Sequence, residues 1–259
     1  MHVVVCGKVI PDSSVTLEID PGTRRLKRQG LPHELDAAAA SAVEEGLRLT
    51  EQHGGDVTFI TMGIADVTVG IRKALAMGAT AAIHLVDDAF AGSDTLGTAK
   101  ALAAAIRRLE FDLVICATES SDSYSGIVPV QVAQLLGIPP LTFANHVEVD
   151  GSTVKVHRQA EGGYTVVTAP LPALISTTSG INEPRYPQLK GIMAARKVEI
   201  QTYAAADLGL GPSDVGASAA RERVLTVGAP PPRAAGRILE DSGDGGKQIA
   251  DYLAELKVI

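Results

Sequence analysis

Two stretches of the chain carry residue types suited to something other than folding. The first, Thr118-Glu119-Ser120-Ser121-Asp122-Ser123-Tyr124-Ser125-Gly126, is crowded with hydroxyls and runs into an apolar segment starting at Val128. Free amides at a helix start, the helix dipole and serine hydroxyls together make a phosphate cradle, but the same residues also serve as ordinary helix caps. Both readings stand at this point. The second stretch is Asn182 to Lys197, in which Pro184 and Pro187 rule out regular helix or central strand up to Pro187. Leu189, Ile192 and Met193 then share a face at helical spacing, while Arg185, Lys190, Arg196 and Lys197 gather positive charge. Periodicity alone assigns that apolar face to the core. A stiff loop leading into a basic segment, on an acidic chain, reads instead as a contact surface.

Other chemistries are disfavoured. There is no Gly-x-x-x-x-Gly-Lys-Ser/Thr and no Gly-x-Gly-x-x-Gly, which argues against a hydrolytic NTPase and an ordinary dinucleotide fold. Cys6 and Cys116 are too few for a disulfide scaffold, an iron–sulfur cluster or a zinc site, and are expected as small core residues. His33, His84, His146 and His157 lack metal-ligand spacing. Redox chemistry here would therefore need a borrowed organic cofactor. A formal net charge of −7 opposes general nucleic-acid binding, and 3% aromatics leave little for base stacking. No apolar run is long enough to cross a bilayer, and Met1 to Val5 lack the pattern of a secretory signal, so a cytoplasmic protein is expected.

The elements that would position these stretches alternate. Apolar runs at Val3–Cys6, Val57–Thr61, Ala82–Val86 and Leu113–Ala117 read as buried strands. Between and after them lie helices at Ala37–Leu49 capped by Asp36, Val67–Met77 stopped by Gly78, Thr95–Leu109 capped by Ser93, and Val128–Leu136 closed by Gly137. A hairpin around Asp20-Pro21-Gly22-Thr23 interrupts the series early. Leu141–Val149, Thr153–Gln159 and Tyr164–Thr168 alternate as an antiparallel excursion before Ala173–Thr177 returns as an apolar strand. These patterns predict an α/β fold with a doubly wound, mainly parallel, Rossmann-like sheet. Ligands of such sheets sit where strand order reverses, outside the carboxyl ends of the strands. If the first and fourth strands flank that point, Cys6-Gly7-Lys8 and Thr118–Gly126 converge, with Lys8 placed to meet either a phosphate or a carboxylate.

From Gly228 the chain reads as a proline-rich, then glycine-rich, linker, followed by a segment with Ile249, Tyr252, Leu253 and Leu256 on one helical face. The expected division is an α/β domain over 1–227 and a C-terminal arm over 228–259 that folds back or docks on another chain.

The run Asn182-Glu183-Pro184-Arg185-Tyr186-Pro187 through Leu189-Lys190-Gly191-Ile192-Met193 to Ala195-Arg196-Lys197 resembles the signature of the electron transfer flavoprotein β-subunit family. Ala42-Val43-Glu44-Glu45 and Ile71 to Ala79 resemble other segments of that family. The resemblance implies an adenine-nucleotide-hydrolase-like sheet and an arm reaching across an α subunit. It also implies FAD held mainly by that subunit and a structural AMP in the crevice. Its AMP-holding positions correspond to Cys6, Asp36, Met62, Gly63, Ser121, Asp122, Ser123, Tyr124, Ser125, Gly126 and Val128, with Lys8 beside them. Its docking residues correspond to Arg185, Tyr186, Leu189, Lys190, Ile192, Met193, Arg196 and Lys197. The implied role is an electron carrier rather than an enzyme, moving electrons from acyl-CoA or related dehydrogenases to a quinone oxidoreductase. Asp36-Ala37-Ala38 and Gly126-Ile127-Val128 depart from Asn-Pro-Phe and Asn-Gln-Thr in other members. Two alternatives follow: a bifurcating relative with a second FAD in place of AMP, and a homodimeric nucleotide sensor of the universal-stress type.

Overall fold

The computed structural model describes residues 1–228, 231, 232, 236, 238 and 240–259, so much of the expected proline-rich linker lies outside the described residues. The chain forms two compact units, Met1–Val224 and Leu225–Ile259.

In the first unit nine strands make one sheet: β1 (His2–Cys6), β2 (Asp56–Met62), β3 (Ala81–Leu85), β4 (Leu113–Ala117), β5 (Pro140–Asp150), β6 (Thr153–Ala160), β7 (Gly163–Pro170), β8 (Ala173–Thr177) and β9 (Ile200–Tyr203). Their spatial order is β7-β6-β5-β8-β4-β1-β2-β3-β9. From β5 across to β9 every pairing is parallel, and only the β5–β6 and β6–β7 pairings are antiparallel. The chain steps from β1 through β2 to β3 and then crosses back to β4 on the other side of β1, so the switch point lies between β1 and β4, which meets the condition that the sequence pattern left open.

Helices α1 (Ala37–His53), α2 (Thr68–Met77), α3 (Thr95–Ile106), α4 (Val128–Leu136) and α5 (Leu189–Ala195) accompany the sheet. Two apolar clusters fill the layers, one joining α1 and α2 to Val3, Val5, Phe59 and Ile175, the other joining α3 and α4 to Val4, Ile60, Val114 and Leu174. Alternate residues of one strand thus feed opposite faces, which is why the central strands read as unbroken apolar runs.

Three details differ from the sequence expectation. Asp94, not Ser93, caps α3, accepting from the Gly97 amide at 2.8 Å, while Ser93 Oγ accepts from the Gly216 amide. Strand β5 is not part of a separate excursion: its first half pairs parallel with β8 and its second half antiparallel with β6. Finally β9, too short and too exposed to show an apolar run, adds a ninth strand beside β3.

Helix α5 packs the opposite way to its periodicity. Gly191 and Ala195 face α2, and a Cβ on Gly191 would stand 2.4 Å from the Ala76 carbonyl oxygen. Arg72 on α2 closes the helix, donating to the carbonyls of Ala195 and Val198. Close backbone approach selects the small residues for the interface, and the large apolar ones turn outward. In the second unit, α6 (Gly245–Glu255) leaves Ile249, Tyr252 and Leu256 exposed.

Replacing Gly191 with alanine is expected to cost roughly 1–3 kcal/mol, because the clash is with backbone and cannot be relieved by a rotamer change. Thermal melts of Gly191→Ala against wild type measure it; an unchanged melting temperature would show that α5 is not seated on α2.

Candidate functional site

The crevice at the switch point is built from two buried carboxylates. Asp36, 1% exposed, caps α1 by accepting from the Ala38 amide at 3.0 Å, and its other oxygen accepts from the Ser121 amide at 2.7 Å and the Ser121 hydroxyl at 3.2 Å. Its own amide donates to the Lys8 carbonyl at 3.1 Å. One residue therefore fastens the start of α1 to both segments that leave β1 and β4.

Asp122 is the second pin, its side chain 2% exposed. Lys8 Nζ donates to Asp122 Oδ1 at 2.6 Å, Arg28 Nη2 to Oδ2 at 2.7 Å, and the hydroxyls of Ser120 and Ser123 to Oδ1 at 2.9 and 2.8 Å. Burial by itself would raise the Asp122 carboxyl; Lys8 and Arg28 outweigh it and hold the group well below the usual carboxylate range. Lys8 is pulled below an ordinary lysine by burial, with Asp122 pushing back. Lys8 also donates to the hydroxyls of Ser120 and Ser123, at 3.3 and 2.6 Å.

These bonds divide the sequence-derived cofactor residues into two groups. Lys8, Asp36, Ser121, Asp122 and Ser123 spend their polar atoms on one another and shape the loop. Cys6 turns its thiol into the core, opposite Cys116 in the β1–β4 register, and Cys6 together with burial pushes the Cys116 thiol up. The amides of Ser125, Gly126, Ile127 and Val128 donate to nothing among the described residues, and no side chain caps α4. Pro129 adds no donor, and the Val130 amide is also without an acceptor among the described residues. Tyr124 and Gly126 both hold left-handed backbone, φ +48° and +67°, which for tyrosine is a strained state. A row of unpaired amides at an uncapped helix start is an anion site in its physics, so the residues present fit a nucleotide phosphate.

Met62 and Gly63 leave β2 on the other side of β1. The sequence reading missed His84, which is buried under them and donates from Nε2 to the Gly63 carbonyl at 3.1 Å. Burial keeps this imidazole below the ordinary histidine range, hence neutral and fixed as a donor. It also missed Arg28; a lone arginine in a polar loop gives no local sign that it reaches a residue 94 positions away.

The docking stretch has its own anchors, and they correct the reading of Arg185. Its guanidinium donates to Glu44 at 2.8 and 3.0 Å and also pairs with Glu51, so Arg185 holds the loop in place rather than offering a free charge. Asn182 Nδ2 donates to the Ser41 carbonyl at 3.0 Å and to Glu45 at 2.9 Å. Glu44 and Glu45, charged residues of α1, are buried where they meet Arg185 and Asn182. Beyond these anchors Tyr186 is 92% and Leu189 75% exposed, with Met193 and Ile192 beside them. Lys190, Arg196 and Lys197 are exposed, and none has a carboxylate within ion-pair distance among the described residues.

Asp122→Asn is expected to cost about 1–3 kcal/mol at pH 7, since the half-buried Lys8 and Arg28 would lose the counter-charge they share. Because folding lowers the Asp122 pKa, the stabilisation it brings is complete above the unfolded value of about 4 and is lost as pH falls through the folded value. Urea midpoints of both proteins should keep a constant gap from pH 7 to about pH 5 and converge only in stronger acid. A gap already closing at pH 6 would contradict the pairing.

Among the described residues no group of histidine, cysteine or carboxylate side chains is arranged to hold a metal ion, and no helix is long and apolar enough to cross a membrane. Residues 23–208 match the family model described as the electron transfer flavoprotein domain. The chain is 39% identical to the electron transfer flavoprotein subunit beta of Mycobacterium leprae over 264 residues, covering 100% of this chain and 99% of the relative. It is 34% identical to the protein of the same name from Megasphaera elsdenii over 263 residues, 98% of this chain and 97% of that one. A similar match, 34% over 241 residues and 92% of each chain, is to the caffeyl-CoA reductase-Etf complex subunit CarD of Acetobacterium woodii. With this coverage, and with the sheet, the crevice and the exposed helix described above, the chain belongs to the electron transfer flavoprotein family as a β subunit.

Proposed function

We propose that the chain works as the smaller half of a heterodimeric electron carrier, taking electrons from acyl-CoA or related dehydrogenases and delivering them to a quinone oxidoreductase. In this reading FAD lies at the interface with the α subunit and supplies the redox chemistry. An AMP in the β1–β4 crevice serves structure. The reading asks no nucleophile or general base of this chain, only that it hold a nucleotide, bind its partner subunit and dock.

The observation that carries it is Leu189, three-quarters exposed on a helix that is nevertheless fixed. A large apolar side chain held outward by Gly191 against α2, with Arg185 and Asn182 locking the loop before it, is preorganised to enter a pocket on another protein. Lys190, Arg196 and Lys197 around it would steer the encounter, on an otherwise acidic chain. In the crevice the amides of Ser125 to Val128 would hold the phosphate, with Met62 and Gly63 across β1 on the far side and the loop shaped by Asp36 and Asp122. The exposed face of α6 would cover itself on the α subunit.

Family membership sets the homodimeric nucleotide sensor aside. A second FAD in place of AMP is the competing reading, supported by the relative named from a caffeyl-CoA reductase-Etf complex. Nucleotides extracted from the purified heterodimer decide between them. One flavin and one AMP per dimer is expected, and two flavins would overturn the AMP assignment.

Leu189→Ala is expected to lower kcat/KM for electron uptake from the dehydrogenase by roughly tenfold or more, in line with loss of a central interface anchor. Flavin content and melting temperature should not move. Unchanged uptake would remove Leu189 from the docking surface.

A further inference from the structure

We propose that residues 12–32 form a strap across the mouth of the nucleotide crevice and that Arg28 is the residue holding it shut over a bound nucleotide. The inference rests on the nucleotide reading above and adds to it the residue that governs exchange.

The strap leaves and rejoins the fold through a short ribbon, Val9–Pro11 paired with His33–Leu35, directly after β1. Between them the chain turns through the small hairpin Ile19–Asp20 with Arg25–Leu26. No residue from 12 to 32 is buried, so no apolar core holds the segment down. Its hold on the rest of the fold is polar. Arg24 donates to the Val224 carbonyl at 2.9 Å, Arg25 to the Gly92 carbonyl at 2.8 Å, and the Gly30 amide to Asp66 at 3.4 Å. Arg28 donates to Asp122 at 2.7 Å. Gly92, Asp66 and Asp122 lie in the segments that follow β3, β2 and β4, so the strap runs across the carboxyl-terminal edge of the sheet.

These tethers are not equal. Those of Arg24 and Arg25 end on neutral carbonyls, and the Gly30 bond is long. Arg28 forms a charge-assisted bond to a carboxylate almost wholly removed from water, the strongest class among them. It is also the tether that ends on the loop bearing the unpaired amides of Ser125 to Val128. A segment without buried apolar contacts opens at a free energy set by its few polar bonds, and here one of them dominates. A nucleotide seated on those amides leaves by a path that this bond bars, because Asp122 joins the loop beneath it to the strap above.

The test uses the native assembly loaded with radiolabelled AMP. Arg28→Ala and Arg28→Gln are expected to release AMP roughly tenfold faster or more, the equivalent of one charged hydrogen bond. In the AMP-loaded protein trypsin should cut after Arg24, Arg25 and Lys27 correspondingly faster. Lys27→Ala, which loses only a pair with Glu18 inside the strap, should release AMP as wild type does. Arg28 variants that release AMP within twofold of wild type, or whose straps resist trypsin equally, overturn the strap while leaving the AMP reading intact. A wild-type assembly that retains no AMP overturns both.

Discussion

A loop made of serines, a tyrosine and a glycine has no means of holding its own shape, and the crevice depends on how that is solved. Two carboxylates are withdrawn from water and saturated, Asp36 by the cap of α1 and by Ser121, Asp122 by Lys8, Arg28 and two serine hydroxyls. Burying such groups is costly unless every oxygen finds a partner, so the arrangement is close to all-or-none. Once it forms, the loop is held by the bonds of Ser121, Asp122 and Ser123, and the amides of Ser125 to Val128 are left without an acceptor among the described residues. The crevice is thus shaped by charges that direct their polar atoms at one another.

The same economy of roles appears at the other end of the molecule. Arg185 looks like a steering charge and is an anchor; Glu44 and Glu45 look like solvated helix surface and are its buried counterparts. Gly191, the least conspicuous residue of its segment, decides which way α5 faces. An exposed leucine is common and means little alone. An exposed leucine on a short helix seated on α2 through Gly191 and Ala195, and entered by a loop that Arg185 and Asn182 anchor, is a built feature, and it gives the docking reading its weight.

Much of the fold was legible because its signals are local. Val3–Cys6, Val57–Thr61 and Leu113–Ala117 are apolar on both faces, as strands covered by helices must be, and the alternation with helices forces parallel pairing. The crevice sits where strand order reverses, and the sequence pattern gave that order only as a condition. The register of β5 was not legible, since one strand pairs parallel on one edge and antiparallel on the other, and its alternation reports only burial. Strand β9 escaped because a four-residue edge strand with exposed side chains carries no pattern.

By itself, then, the sequence determined the α/β sheet, the hydroxyl-rich loop and the stiff basic segment at 182–197, because each depends on periodicity or on backbone limits imposed by proline and glycine, while the strand order that puts the switch point between β1 and β4 came from the tertiary structure. Tertiary structure alone decided which of the charged residues near those places serve the architecture and which are left free. Lys8 meets Asp122 from 114 positions away and Arg185 meets Glu44 from 141, and nothing in local spacing encodes such pairs. It also decided the facing of α5, because close packing of Gly191 on the Ala76 carbonyl overrules the hydrophobic periodicity that would have buried Leu189.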